Sequence, residues 1–185
     1  MRNLRRSIQL ARELNLVTQH CLVTQHCAVV FVEEPLARVL AHAQKVDFLF
    51  AAKLASTIDA PLSNLRTSSD FVVDEALLEN FACLTRRTLI LAGGLLEGAI
   101  TQISLAMLLN GYDVYVCADR VVGADTSHEE IFFDRIRMCG GHIVTARQIV
   151  LELLSHERNE RLRNAQDDLL ENSLAETRGI VQLRD

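Results

Sequence analysis

Residues 88–119 read TLILAGGLLEGAITQISLAMLLNGYDVYVCAD, and the order of patterns in this stretch sets the fold class. Thr88–Ala92 is a short apolar run rich in strand formers, and Gly93-Gly94 lets the backbone turn sharply behind it. The spacing predicts a helix over 97–109, closed by Gly111, and a second strand over 112–118. A strand that enters a helix through glycines presents main-chain N–H groups and the positive end of a helix dipole. Such a turn suits an oxyanion or an activated thiolate. The residue placed for reaction on it is Ala99, which carries no reactive group.

Outward from this unit the chain alternates helix and strand. The reading is helix 3–14, an unassigned segment 16–27, strand 28–33, helix 36–57, strand 60–64 and helix 74–84. After residue 119 it continues with helix 128–138, strand 142–145 and helix 146–154. Thr126-Ser127-His128-Glu129 and Thr145-Ala146-Arg147-Gln148 both fit capping boxes. Alternation of this kind predicts an α/β protein: a three-layer α/β/α sandwich around a parallel, Rossmann-like sheet. Three divisions follow: an N-terminal helix and repeat segment (1–27), the α/β domain (28–155) and a charged helical tail (156–185). In the tail Leu162, Ala165, Leu169 and Leu174 recur at helical spacing.

A chain of 185 residues with 49% hydrophobic and 23% charged content is of a size and mix that a soluble single domain shows. The net charge of −5, with no basic stripe, argues against nucleic acid or an anionic membrane as partner. No apolar run reaches the roughly 18 residues of a membrane span. The five cysteines (21, 27, 83, 117 and 139) are an odd count, with three in segments expected in the core, so free thiols in a reducing cytoplasm are expected. Arg2, Arg5, Arg6 and Arg12, with no acid before Glu13, leave a mitochondrial presequence as the alternative.

Residues 16–27 hold a tandem repeat, Leu-Val-Thr-Gln-His-Cys twice over. It brings His20, Cys21, His26 and Cys27 close in sequence, but the spacing fits no zinc knuckle, and neither metal nor cofactor is expected. The chain contains no phosphate loop, dinucleotide fingerprint or metalloprotease helix.

The stretch 88–119 resembles the isochorismatase-like (cysteine hydrolase) superfamily, whose signature runs G-x-x-T-x-x-C-V, then a helix, then G-Y-x-V-x-V-x-D-A. Gly93 takes the glycine, Leu96 the threonine, Ala99 the cysteine and Ile100 the valine, and Gly111–Asp119 follows the second half closely. The resemblance continues through Phe133–Gly141 and Ile143–Thr145 to Val150–Leu154, in the manner of the compact branch. It implies an Asp at the end of the first strand, a Lys from a later strand and a Cys nucleophile acting on an amide or related carbonyl. Val29–Leu36 resembles the family's VVDVQEPL, so Phe31 stands at the Asp and Glu33 at the following Gln, while a shifted register puts Glu33 at the Asp itself. Arg66 falls near the Lys position. By the same resemblance the N–H groups of Leu95 and Ala99 form the oxyanion hole, Gly94, Leu95, Leu96 and Ala99 line the substrate, and the Gly94–Leu95 bond is cis.

Two functions are consistent with these positions. With Phe31 and Ala99 unable to move a proton or attack a carbonyl, the chain reads as a pseudoenzyme that keeps the scaffold for binding or assembly. The alternative is an active hydrolase of small amides or enol ethers, using water with Glu33 and Arg66. The expected partners are a small anionic or amide ligand and further copies of the chain, because Ile100, Ile103, Leu105, Met107, Leu108 and Leu109 exceed one core-facing stripe.

Overall fold

A computed structural model describes residues 24–34, 38–67, 71–123 and 127–154, together with Asn164 and Leu169. The expected helix 3–14, the first copy of the repeat and most of the tail lie outside the described residues. Strand β1 (Cys27–Glu33) follows a short turn, Thr24–His26, and is joined by helix α1 (Arg38–Thr57) to strand β2 (Leu62–Arg66). Helix α2 (Glu75–Cys83) and strand β3 (Thr88–Gly93) come next, then a wide π-type turn, Leu96–Ile100, that runs into helix α3 (Thr101–Leu109). Strand β4 (Asp113–Cys117), helix α4 (Glu129–Met138), strand β5 (His142–Val144) and helix α5 (Ala146–Leu154) complete the order.

The five strands form one all-parallel sheet in the order β2-β1-β3-β4-β5. Residues 27–32 of β1 and all of β3 are buried, as expected for central strands covered on both faces. Alternate residues feed two cores. Cys27, Val29, Phe31, Ile90, Ala92, Tyr115 and Cys117 pack with α1 and α5, whereas Ala28, Val30, Val32, Leu89, Leu91, Val114 and Val116 pack with α2, α3 and α4. The α/β/α sandwich expected from the sequence is the observed architecture.

The differences are local. β2 begins two residues later than expected, after Pro61, and runs through Arg66, where pairing with β1 sets Glu33 opposite Arg66. Arg66, two residues beyond the expected strand 60–64, therefore ends an edge strand. The expected capping box at 126–129 rests on Thr126, which lies outside the described residues; α4 starts at Glu129, and its cap residue His128 makes no side-chain cap bond. The box at 145–148 is formed. The Thr145 N–H donates to Gln148 Oε1 at 2.9 Å, and the Gln148 N–H donates to Thr145 Oγ1 at 3.2 Å.

Regular helix begins at Thr101 rather than at 97, because Gly98 leaves helical geometry (φ −102°, ψ −117°). The Thr101 hydroxyl donates to the Leu96 carbonyl across that turn. In the tail, Leu169 is 2% exposed and joins the core under α1 and α5, so at this position the leucine row packs on its own chain.

Candidate functional site

β1 is flanked by β2 on one side and β3 on the other, so the connections diverge at the carboxyl ends of β1 and β3. In an open parallel sheet this is where a crevice forms and ligands bind. Glu33 and Glu34 lie at the end of β1, and Gly93, Gly94 and Leu95 lie at the end of β3. Gly93 (φ +76°) and Gly94 (φ +61°) both adopt the left-handed conformation. A Cβ on Gly93 would fall 2.5 Å from the Val32 carbonyl oxygen and 2.6 Å from the Phe31 ring, so the turn hugs β1 as only glycine allows. The turn is tied on its far side as well: the Leu96 N–H donates to Val122 O at 2.8 Å, and the Val122 N–H donates to Gly94 O at 2.9 Å. The Gly94–Leu95 bond, cis by resemblance, is trans.

The positions picked from the sequence divide between the two faces of the sheet. Phe31 is 2% exposed, its ring edge-on to Phe48 with centroids 5.2 Å apart, in the core under α1. Ala99 is 1% exposed and belongs to the opposite core, beside Leu96 and Ile100. Glu33 and Arg66 do meet: Arg66 Nε donates to Glu33 Oε2 at 3.0 Å, and Asn64 Nδ2 approaches the same oxygen at 3.4 Å. The Glu33 side chain is 41% exposed and that of Arg66 81%, so this is a solvated pair between the end of β1 and the edge strand β2.

The acid that faces the turn is Glu34, which sequence reasoning passed over. Its carboxylate accepts a hydrogen bond from the Leu95 N–H, and the Ala99 N–H lies near enough to stabilise its charge; these are the two N–H groups that the resemblance assigns to the oxyanion hole. Burial raises its carboxyl above the usual glutamate value. The Leu95 and Ala99 N–H groups pull it back down, and the nearby Glu97 adds a smaller push upward. Strand parity was the signal that could have found it, since Glu33 and Glu34 must point to opposite faces.

The turn itself, residues 93–100, contains no cysteine, and the described thiols lie elsewhere. Cys27 is pushed up to about 12 by burial, against the pull of Arg86. Cys117 is raised well above its usual value, first by burial and then by Asp119. Cys83 and Cys139 are exposed, at the ends of α2 and α4. Asp119 accepts the Ala146 N–H at 2.7 Å, where it starts α5. His142 stacks on Tyr115 with centroids 4.4 Å apart. Among the described residues no group of three or more His, Cys, Asp or Glu side chains could hold a metal ion. A buried ion pair that the sequence did not announce, Asp47–Arg120 at 3.6 Å, lies under Phe50 on the α1 face. A cleft of about 600 Å³ opens at the other end of the sheet, beside Arg86, Arg87 and Tyr112.

The parallel sheet in the order β2-β1-β3-β4-β5 and the glycine turn that follows β3 define an isochorismatase-like α/β/α fold. The isochorismatase-domain family model matches residues 2–148, and the chain belongs to that family. No curated protein sequence matches it. Among solved structures, YcaC from Pseudomonas aeruginosa, with hexane-2,5-diol and covalent acrylamide, superposes with a TM-score of 0.73. It is 17% identical, over 89% of this chain and 96% of its own. The YcaC gene product of Escherichia coli, described as an octameric hydrolase of unknown specificity, gives 0.72 at 18% identity over 90% and 97%. MAR1 ribonuclease from Caenorhabditis elegans gives 0.62 at 14% identity over 77% and 88%. At these identities the likeness is one of fold. Among the described residues no helix is long and apolar enough to cross a membrane.

Proposed function

We infer that this chain is a pseudoenzyme of the isochorismatase family, a binding or assembly protein on a hydrolase scaffold. The observation that carries this reading is the chemistry at two family positions. Ala99 offers a methyl group at the turn and Phe31 a ring buried in the other core, so these two positions supply neither a nucleophile nor a proton acceptor. The ligand class is a small anion or amide at the Gly94–Ala99 turn, the segment that keeps the family's main-chain donors. The chain works in a reducing cytoplasm, as the unbridged, buried Cys27 and Cys117 support.

The second reading is water-based hydrolysis with Glu33 and Arg66, and the contact of those two side chains at 3.0 Å favours it. Against it, both side chains are solvated on the β2 side of β1, and Glu33 points to the face of β1 opposite Glu34 and the glycine turn. Assembly into a homo-oligomer is part of the first reading. The octameric state of the Escherichia coli neighbour supports it, as do Leu109, 88% exposed at the end of α3, and the half-buried Leu105 and Leu108.

The test is turnover. The purified protein, incubated with nicotinamide, simple aliphatic amides and an enol ether, is expected to match the uncatalysed background. Turnover sensitive to iodoacetamide would overturn the reading by showing a recruited thiol. Turnover that disappears in Glu33→Gln would establish the second reading instead.

A further inference from the structure

The contact between Glu34 and the turn has a consequence for anything that binds there. Glu34 directly follows β1 and lies on the side that carries Val30 and Val32, towards the Leu95–Ala99 turn. Its two carboxylate oxygens lie against two glycines. A Cβ on Gly94 would be 3.2 Å from Oε2, and one on Gly98 would be 3.3 Å from Oε1. Leu95 gives its N–H to this carboxylate, and the Ala99 N–H is near enough to stabilise its charge. The donors are fixed, because the Val122 bridge ties down the backbone on either side of Leu95. The movable partner is the glutamate side chain.

We propose that Glu34 is an autoinhibitory occupant of the turn, a carboxylate of the chain itself held where a small carboxylate or an amide carbonyl would otherwise be bound. The fit is chemical: a planar carboxylate presents paired oxygens to paired N–H donors, the same interaction that an external carboxylate would make. A tethered group also competes at an effective concentration that a free ligand of the same kind must exceed. The site is therefore closed to weak anions until Glu34 swings out. Glu97 is the described charged neighbour of this carboxylate; Glu33, next on β1, is turned away and engaged by Arg66. The proposal deepens the ligand assignment of the preceding reading and rests on it. Its test measures binding rather than turnover, so either can fail while the other stands.

The experiment compares the full chain with Glu34→Ala, titrating sodium acetate against sodium chloride at matched ionic strength and following the backbone amide resonances of Leu95 and Ala99. In Glu34→Ala these two amides are expected to shift saturably with acetate, with an apparent affinity at least tenfold tighter than in the wild type, and acetate is expected to raise the melting temperature of the variant alone. Equal responses in both proteins would overturn the proposal, as would a folded variant whose two amides ignore acetate. Should Glu34→Ala fail to fold, a pH titration of the wild type takes its place. The carboxyl carbon of Glu34 and the amides of Leu95 and Ala99 must then titrate with one common midpoint above that of an ordinary glutamate. Separate midpoints would overturn the proposal.

Discussion

Glu33 and Glu34 differ by one position and by everything that matters chemically. Glu33 faces outward to an exposed arginine on the edge strand, and Glu34 faces inward to main-chain donors. The neighbourhood of Ala99 is therefore acidic, which reverses what the turn alone implies for a thiol. A cysteine introduced as Ala99→Cys feels burial and the Glu34 carboxylate, both of which raise its pKa, against the turn's N–H groups, which lower it. We expect the thiol to titrate above the ordinary value of about 8.5. Adding Glu34→Gln should bring it down by about one unit, as loss of a neighbouring charge does. Thiolate absorbance at 240 nm against pH, with the parent protein subtracted, reads both values; a single variant titrating well below free cysteine would refute the assignment. Phe31→Asp is no route to restoring the family acid, since it would place a carboxylate among Phe48, Phe50 and Ala92. Glu34 carries a pH signature too. An acid whose folded pKa is raised destabilises the fold as pH climbs from the unfolded value through the folded one. The stability of the wild type relative to Glu34→Gln should fall across that window, just above ordinary glutamate, and level off beyond it.

At the scale of elements, the features that local chemistry dictates were readable. Apolar runs bounded by glycine gave β3 and β4, and the 145–148 capping box gave the start of α5. α2 begins in the same way, with Asp74 extended (φ −113°, ψ 176°) and its carboxylate accepting the Leu77 N–H at 2.9 Å. Asp74→Ala should cost about 1 kcal/mol in urea unfolding, with Asp74→Asn recovering most of it. An unchanged midpoint in the alanine variant would show that the cap contributes nothing. Elements whose limits depend on a partner were misread. β2 carries few strand signals of its own, and its extent to Arg66 follows from pairing with β1. The segment 96–100 has a helical pattern, yet Gly98 and the Thr101–Leu96 bond hold it as a wide π-type turn.

At the scale of the whole molecule, two surfaces compete for the role of interface. The tail offers a leucine row, but Leu169 is already buried by its own chain. α3 keeps Leu109 exposed. Leu169→Ala should therefore lower stability by about 2–4 kcal/mol, the usual range for a buried leucine, and leave the mass by light scattering unchanged. Leu109→Glu should leave stability nearly unchanged and shift the particle towards the 20.7 kDa monomer. A wild type that is monomeric at micromolar concentration would remove assembly from the proposed function.

The sequence by itself determined the layers of this protein: period-2 and period-3.6 apolar patterns and glycine punctuation act over a few residues, and they survive any arrangement of the rest. It also determined that Phe31 and Ala99 carry neither a nucleophile nor a proton acceptor, because side-chain identity needs no fold to be read. Only the tertiary structure decided which faces those residues take, that Glu33 meets Arg66, and that Glu34 rather than Glu33 closes on Leu95 and Ala99. Strand parity separates two adjacent glutamates onto opposite faces. Which face looks towards the turn is set by the order β2-β1-β3 and by the helices that cover each side, and those are contacts between segments distant along the chain.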